Sequence, residues 1–188
     1  MNQKTAMKLF GLLGLLMLLS CGYADRHRNS SSCEQALVDS LEVRVQDSLF
    51  SNVHYSRSQV LDALTQAQDS QVYYRLLALY GKTFFVSSDF DSILYYNRRV
   101  KEFFRNASQS SESLQSPQWN DVLSDVYNIE GNVWMQLNRP DSAITDYKKA
   151  YEYRLKGKKL HLLPDICINT ADAYLHRSDL AHTASYYR

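Results

Sequence analysis

The side chains that could carry out chemistry are thinly spread along this sequence. Its histidines lie far apart, at His27, His54, His161, His176 and His182. The closest two, His176 and His182, are six positions apart, and we interpret them as surface residues, with a metal-binding pair as the alternative. The sequence contains neither a Gly-rich phosphate loop nor a Gly-x-Ser-x-Gly motif. It therefore predicts no catalytic residue, no metal and no cofactor, and a protein that is not an enzyme.

One reactive side chain, the thiol of Cys21, does follow a recognisable signal. Lys4 and Lys8 precede an apolar run, Leu9 to Leu19. A run of about 11 residues is too short to span a bilayer core of roughly 30 Å and is typical of a secretory signal. The run ends in Leu-Leu-Ser directly before Cys21, which resembles a bacterial lipobox.

The lipobox resemblance implies a lipoprotein signal peptide over residues 1–20, lipidation of Cys21 and a flexible tether over residues 21–32. Several acyl chains on one residue would anchor the protein stably, at about 0.8 kcal/mol per buried CH₂. We therefore expect an extracytoplasmic protein held in the bacterial cell envelope, with the choice of membrane left open. An ordinary signal peptide with an incidental cysteine is the alternative.

The charge balance of the chain does not favour nucleic acid as a partner. Without Lys4 and Lys8, the 21 basic residues fall to 19, against 20 acidic residues, for a net charge of about −1. No basic surface is indicated. Beyond the anchor, Cys33 and Cys167 could form a disulfide outside the cytosol, but we predict free thiols, with Cys167 packed as a small hydrophobe.

A small residue recurs three times in the same local pattern. Each copy lies three positions before an aromatic and ten to twelve positions before a second helical block; the pairs are Gly81 with Phe84, Gly131 with Trp134, and Ala171 with Tyr174. A pattern that repeats as a helix-turn-helix unit predicts an α-solenoid. Glycine within a helix costs about 1 kcal/mol against alanine, so we expect the backbone of a partner helix to approach Gly81 and Gly131 closely.

These residues resemble the tetratricopeptide repeat (TPR), and the unit around Gly131 matches best. The resemblance implies an all-α, right-handed solenoid of antiparallel helix pairs. The implied packing residues are Leu77, Gly81, Phe84, Tyr127, Gly131, Trp134, Ala143, Tyr147, Ala150, Ala171 and Tyr174. The middle unit departs from the motif at Asn138 and Pro140, although asparagine still tolerates the left-handed backbone of the turn.

We place an N-terminal helical pair or cap at residues 33–70 and TPR-like repeats at residues 71–188, divided into about 71–105, 117–157 and an incomplete 164–188. Ser116 and Pro117 are predicted to open one helix and Pro164 another. Inward positions of the N-terminal pair are predicted at Leu37, Leu41, Val45, Leu49, Val60, Leu61 and Leu64. Those of the second helices are predicted at Ile93, Val100, Ala143, Tyr147, Ala150, Thr183 and Tyr187.

The TPR resemblance also implies a concave binding face formed by the first helices. Its matching positions are Arg75, Ala78, Lys82, Phe85, Asp125, Asn128, Asn132, Met135, Asp165, Ile168, Asp172 and Leu175. Among them Arg75, Lys82, Asn128, Asn132 and Asp172 are the candidate binding residues. Asn128 and Asn132 could bond the backbone of an extended peptide, with simple solvation of these polar groups as the alternative.

The predicted function is a membrane-anchored module that binds protein or peptide in the cell envelope. The alternative is the extracytoplasmic sensor of a longer signalling protein with a kinase or helix-turn-helix output. The last unit reaches Arg188 after about 25 of 34 repeat residues, so we expect a fragment, with a short final helix as the alternative.

A further pattern, Asp-Ser followed by an aliphatic residue, is similar to an O-glycosylation tripeptide of some exported bacterial proteins. It occurs at Ser40, Ser48, Ser92 and Ser142. Modification is considered at Ser92 or Ser142, against a plain helix-start role.

Overall fold

The structure is a computed structural model that describes residues 33–48, 51–107, 114 and 116–187. The predicted signal peptide, Cys21, the tether and Leu49 lie outside these residues. The prediction of an all-α fold is confirmed, because the described residues form helices and turns and contain no strand. None of the described helices is long and apolar enough to cross a membrane.

Eight α-helices follow one another along the described chain. They are α1 (residues 33–48), α2 (Val53–Gln66), α3 (Ser70–Lys82), α4 (Phe90–Ala107), α5 (Pro117–Gln136), α6 (Pro140–Arg154), α7 (Leu163–His176) and α8 (Leu180–Tyr186), with a short 3₁₀ turn at Leu160–Leu162 before α7. Successive helices pack together as pairs. The first helices of the last three pairs are α3, α5 and α7, and α5 contacts both of the others. This arrangement brings α3, α5 and α7 side by side.

Helix starts are set by local side-chain chemistry. The Asp69 carboxylate accepts from the N–H groups of Gln71 and Val72 at 2.7 and 3.1 Å, which satisfies two of the unpaired donors of the first turn of α3. Pro117 begins α5 at the predicted position, where a missing N–H costs nothing. The preceding Ser116 was predicted to cap α5, but its side chain makes no capping hydrogen bond.

The turn inside each of the last three pairs ends with the same backbone geometry. Its last residue has a positive φ each time: 53° at Ser88, 55° at Asn138 and 60° at Ser178. In each turn the N–H of the next residue bonds the carbonyl of the repeat aromatic, at 3.3 Å to Phe84, 2.8 Å to Trp134 and 2.9 Å to Tyr174. These left-handed residues are 50 and then 40 positions apart, which is the spacing of Gly81, Gly131 and Ala171.

The residue after two of these turns caps the next helix. Asp89 accepts from the N–H and hydroxyl of Ser92 at 3.1 and 2.7 Å, and these bonds lower the pKa of the Asp89 carboxyl. Asp179 accepts from the N–H and Nδ1 of His182 at 3.2 and 2.8 Å, and the pKa of Asp179 is lowered for the same reason. Ser92 and His182 are therefore parts of helix starts.

The two helix glycines lie against side chains of the following helix, whereas the sequence predicted an approach of backbone. A β-carbon on residue 131 would lie 2.3 Å from Cε1 of Tyr147. One on residue 81 would lie 3.1 Å from Cβ of Tyr96. Ala171 is fully buried in the third pair. Small residues are therefore needed where aromatic residues of the second helix cross the first.

The N-terminal pair shares one core with α3, and its buried positions differ from the predicted ones at two residues. Val38, Leu41 and Val45 are buried on α1. Leu37 is instead 42% exposed, and on α2 Leu61 is 45% exposed while Val60 is fully buried. The regular four-residue step from Leu37 ignored that an α-helix has 3.6 residues per turn, so the stripe drifts to Val38.

The second-helix stripe is buried at Ile93, Val100, Ala143, Tyr147, Ala150 and Thr183. Tyr187, predicted to belong to it, is 54% exposed because it lies after the last residue of α8. Asn97 takes the place of Tyr147 in the α3–α4 pair: it is 1% exposed, and its Nδ2 donates to the carbonyl of Val126 at 3.2 Å. A buried polar group thus links α4 to α5.

Candidate functional site

A small cavity of about 170 Å³ lies among the first helices, toward their C-terminal ends. It is lined by Phe85, Asn132, Met135, Gln136, Tyr147, Asn169 and Asp172. Phe85, Asn132, Met135 and Asp172 were predicted for one inner face, and the structure brings these four together. Gln136 and Asn169 also line the cavity but were not predicted for this face.

Asn132 is held in place by Tyr147. The Tyr147 hydroxyl donates to Oδ1 of Asn132 at 2.7 Å. Burial, and then the charge of Asp172, raise the pKa of Tyr147. The phenol therefore stays protonated and remains the donor, which leaves the Asn132 NH₂ group as the part that can reach a ligand.

Asn128 also accepts a hydrogen bond through its side-chain oxygen, in this case from α7. Nδ2 of Asn169 donates to Oδ1 of Asn128 at 3.1 Å. The carbonyl oxygen of Asn169 and the NH₂ group of Asn128 then retain hydrogen-bonding capacity. The two asparagines predicted to bind peptide are thus both oriented by partners from neighbouring helices.

Asp172 lies exposed at the edge of the cavity. The Tyr187 hydroxyl donates to its Oδ1 at 2.5 Å, and this bond raises the pKa of Tyr187. Within the described residues Asp172 has no cationic partner at ion-pair distance. Its second oxygen is the main charged acceptor that the cavity presents.

Arg75 is removed from the candidate binding face by α1. Its side chain is only 5% exposed, and Nη2 lies 2.8 Å from Asp39 and 3.0 Å from Glu42. Its Nη1 donates to Gln35. The guanidinium is therefore occupied by the N-terminal helix, which the motif positions alone could not indicate.

Lys82 is also drawn toward α1. Its Nζ donates to Oε1 of Gln46 at 2.6 Å. Burial lowers the pKa of Lys82, while the carboxylates of Asp125 and Glu42 act in the opposite direction. Lys82 is a partly buried cation near α1 and does not line the cavity.

A buried ion cluster that was not predicted lies in the N-terminal half of α5. Nη1 of Arg154 bonds Asp121 at 2.7 Å, and Nη2 bonds Asp125. Asp121 also accepts from the N–H groups of Lys158 and Lys159 at 2.8 and 3.1 Å.

Gly157 permits this arrangement, since a β-carbon there would lie 2.2 Å from Oδ1 of Asp121. Lys159 then reaches Glu42 of α1 at 2.7 Å. The one sequence signal for the cluster is the isolated Gly157 in a lysine-rich loop.

Other features of the described residues offer little chemistry. No group of three or more His, Cys, Asp or Glu side chains gathers there to hold a metal ion. Cys33 and Cys167 are free thiols, as predicted, and burial raises the pKa of Cys167. A larger depression of about 480 Å³ is lined by α3 and α4 alone, and none of the predicted binding residues contributes to it.

The 170 Å³ cavity can therefore accept one side chain and hydrogen-bond it through amide and carboxylate groups. It is smaller than the roughly 300 Å³ at which small-molecule sites typically begin.

The chain was compared with protein-family models, curated proteins and solved structures, and none of them matches it.

Proposed function

We propose that this protein is a TPR-like α-solenoid that is lipid-anchored in the bacterial cell envelope and binds an extended peptide segment of a partner protein. The cavity formed by the first helices is its binding site. The lining of the cavity offers amide groups, one carboxylate and apolar side chains, which suit the binding of a peptide.

The solenoid part of the proposal is supported by the repeated turn. Three non-glycine residues, Ser88, Asn138 and Ser178, share the left-handed conformation at the repeat spacing. Such residues adopt a positive φ infrequently, so three occurrences at equivalent positions favour a common unit. Stacked units of this kind use the face of their first helices for binding extended ligands.

The observation that carries the binding role is the set of oriented amides at the cavity. The Oδ1 atom of Asn132 is bonded by Tyr147, and the NH₂ group of Asn169 is bonded to Asn128. Among the described residues, the NH₂ group of Asn132 and the Oδ1 atom of Asn169 have no assigned partner. Amide groups held in this way can bond both N–H and C=O groups of a peptide backbone. Phe85 and Met135 supply an apolar wall beside them.

Peptide binding is tested by selection from a displayed library of random ten-residue peptides against the full chain. We expect selected peptides to shift the side-chain amide signals of Asn132 and Asn169 in ¹⁵N spectra. Gln136→Trp should abolish binding, because this exposed residue lines the cavity and the indole would fill it.

Gln118→Trp is the matched control, since Gln118 is an exposed glutamine on the same helix that does not line the cavity. Equal binding by both tryptophan variants, or no selected peptide at all, would contradict the proposal.

The anchor has a separate experiment. We expect the protein to incorporate radiolabelled palmitate when it is made in bacteria, and Cys21→Ala to remove the label. Cys33→Ala is the control, since this cysteine does not follow the apolar run. Unchanged labelling in Cys21→Ala would exclude lipidation at this residue without affecting the peptide-binding proposal.

A further inference from the structure

We infer that the cavity selects a basic side chain, lysine or arginine, from the bound peptide. The inference rests on the proposed peptide-binding function and adds the chemistry of the residue that enters the cavity. It is carried by the charge of Asp172, by the acceptors that lie near it and by the apolar wall.

The charged groups at the cavity favour a cation. Of the seven lining residues only Tyr147 and Asp172 can titrate, and the raised pKa of Tyr147 keeps its phenol neutral. The lining therefore has a net charge of −1 from Asp172. An acidic side chain would be repelled here, and an apolar one would leave the carboxylate without a partner.

Two hydrogen-bond acceptors at the cavity, one on Asp172 and one on Asn169, remain available to a ligand. They suit a basic head group. Tyr187 occupies Oδ1 of Asp172, so Oδ2 remains for a ligand. Asn169 uses its NH₂ group on Asn128, which leaves its carbonyl oxygen as an acceptor. Ammonium and guanidinium groups are donors only, and they match two such acceptors.

The rest of the cavity suits the stem of a long side chain. Phe85, Met135 and the Tyr147 ring form the apolar part of the lining. Lysine and arginine bury their methylene stems against apolar surface while the charged head reaches a polar group. A volume of about 170 Å³ has room for one such side chain.

The experiment uses four pools of ten-residue peptides whose fifth residue is lysine, arginine, norleucine or glutamate, with the other positions randomised. Each pool is titrated against the full chain. We expect the lysine and arginine pools to bind about tenfold more tightly than the norleucine pool, the size of one hydrogen bond to a charged group. The glutamate pool should bind most weakly.

Asp172→Asn should abolish the preference for basic residues, because it removes the charge but keeps an oxygen for Tyr187. Glu152→Gln is the matched control: it removes one exposed negative charge on α6 outside the cavity and should leave the preference unchanged. If Asp172→Asn does not fold, Gln136→Lys provides a second variant, since a cation at the rim should also suppress the preference.

The outcomes separate this inference from the function on which it rests. Equal binding of the norleucine and lysine pools, preference for glutamate, or a preference that survives in Asp172→Asn would overturn the inference while peptide binding stands. Failure of all four pools to bind would remove both.

Discussion

The Tyr147 ring lies in the space that any side chain on residue 131 would occupy, with Cε1 only 2.3 Å from the position of a β-carbon there. The ring cannot move aside easily, because Tyr147 is 2% exposed and its hydroxyl is bonded to Asn132. Gly131 is thus required by the packing of α6 on α5. This explains a glycine in the interior of a helix, where it is otherwise unfavourable.

We expect Gly131→Ala to lower the free energy of unfolding by about 2 kcal/mol, since overpacking a core costs roughly 1–3 kcal/mol and exceeds the gain in helix propensity. Gly81→Ala is the comparison. Its β-carbon would lie 3.1 Å from Cβ of Tyr96, so a small shift suffices and the loss should be smaller. Urea unfolding of both variants measures this. An equal effect at the two glycines would contradict the packing explanation.

Removing one partner of the buried Asp121–Arg154 pair should cost far more stability than removing one partner of an exposed pair. Asp121 accepts from Arg154 and from two backbone N–H groups, and the two side chains are 6% and 2% exposed. Asp121→Ala would leave these donors unpaired, and we expect a loss of about 3 kcal/mol in the free energy of unfolding.

Asp141→Ala is the matched control for Asp121→Ala, measured by the same denaturant titration. Asp141 pairs with Arg177 at 2.9 Å, but its side chain is 81% exposed. The expected loss is below about 1 kcal/mol. Similar losses in the two variants would show that the cluster of Asp121 and Arg154 adds little to the fold.

Lys82 should make stability rise with pH in the alkaline range. Burial lowers its pKa in the folded protein below the usual 10.5, so the unfolded chain binds more protons between the two values. Stability then increases as pH rises through this window. Relative to wild type, Lys82→Met should be more stable at neutral pH and gain less stability on going toward pH 10.5.

The measurement for Lys82 is the free energy of unfolding as a function of pH for wild type, Lys82→Met and Lys158→Met. Lys158 is exposed, and its substitution removes one lysine without changing the buried environment. A Lys82→Met curve parallel to that of wild type would disprove a lowered pKa at Lys82.

Replacing a left-handed turn residue by glycine should stabilise the protein. Ser88 has a φ of 53°, a conformation that costs a residue with a β-carbon roughly 1–2 kcal/mol. Ser88→Gly should therefore raise the free energy of unfolding by about 0.5–1 kcal/mol. Ser58→Gly, at an exposed helical serine of α2, should lower it by a similar amount. Destabilisation by Ser88→Gly would contradict the turn conformation.

Much of the helical framework was predictable from local patterns. The spacing of Gly81, Gly131 and Ala171 anticipated three helix pairs, because packing and turn constraints act on residues close in sequence. The left-handed conformation of Asn138 was anticipated by residue type. Those of Ser88 and Ser178 could have been found from the same spacing, although serine is a weak signal for a positive φ.

Part of the candidate site was also predictable. Asn132 and Asp172 share a helix face in their own units, so the motif positions placed them on one surface. The burial of Arg75 and its ion pairs could not be predicted in this way, because its partners Asp39 and Glu42 lie on α1, more than 30 residues earlier. Motif positions specify which face a residue lies on but not which charges meet it there.

The sequence by itself determined the helices, the pairs and the small residues at their crossings, since these follow from periodicity and steric size along a short stretch of chain. Only the tertiary structure decided which polar side chains remain available at the first helices. Long-range hydrogen bonds and burial made that choice: they engaged Arg75 and Lys82 with side chains of α1, oriented Asn128 and Asn132, and left Asp172 open at the cavity.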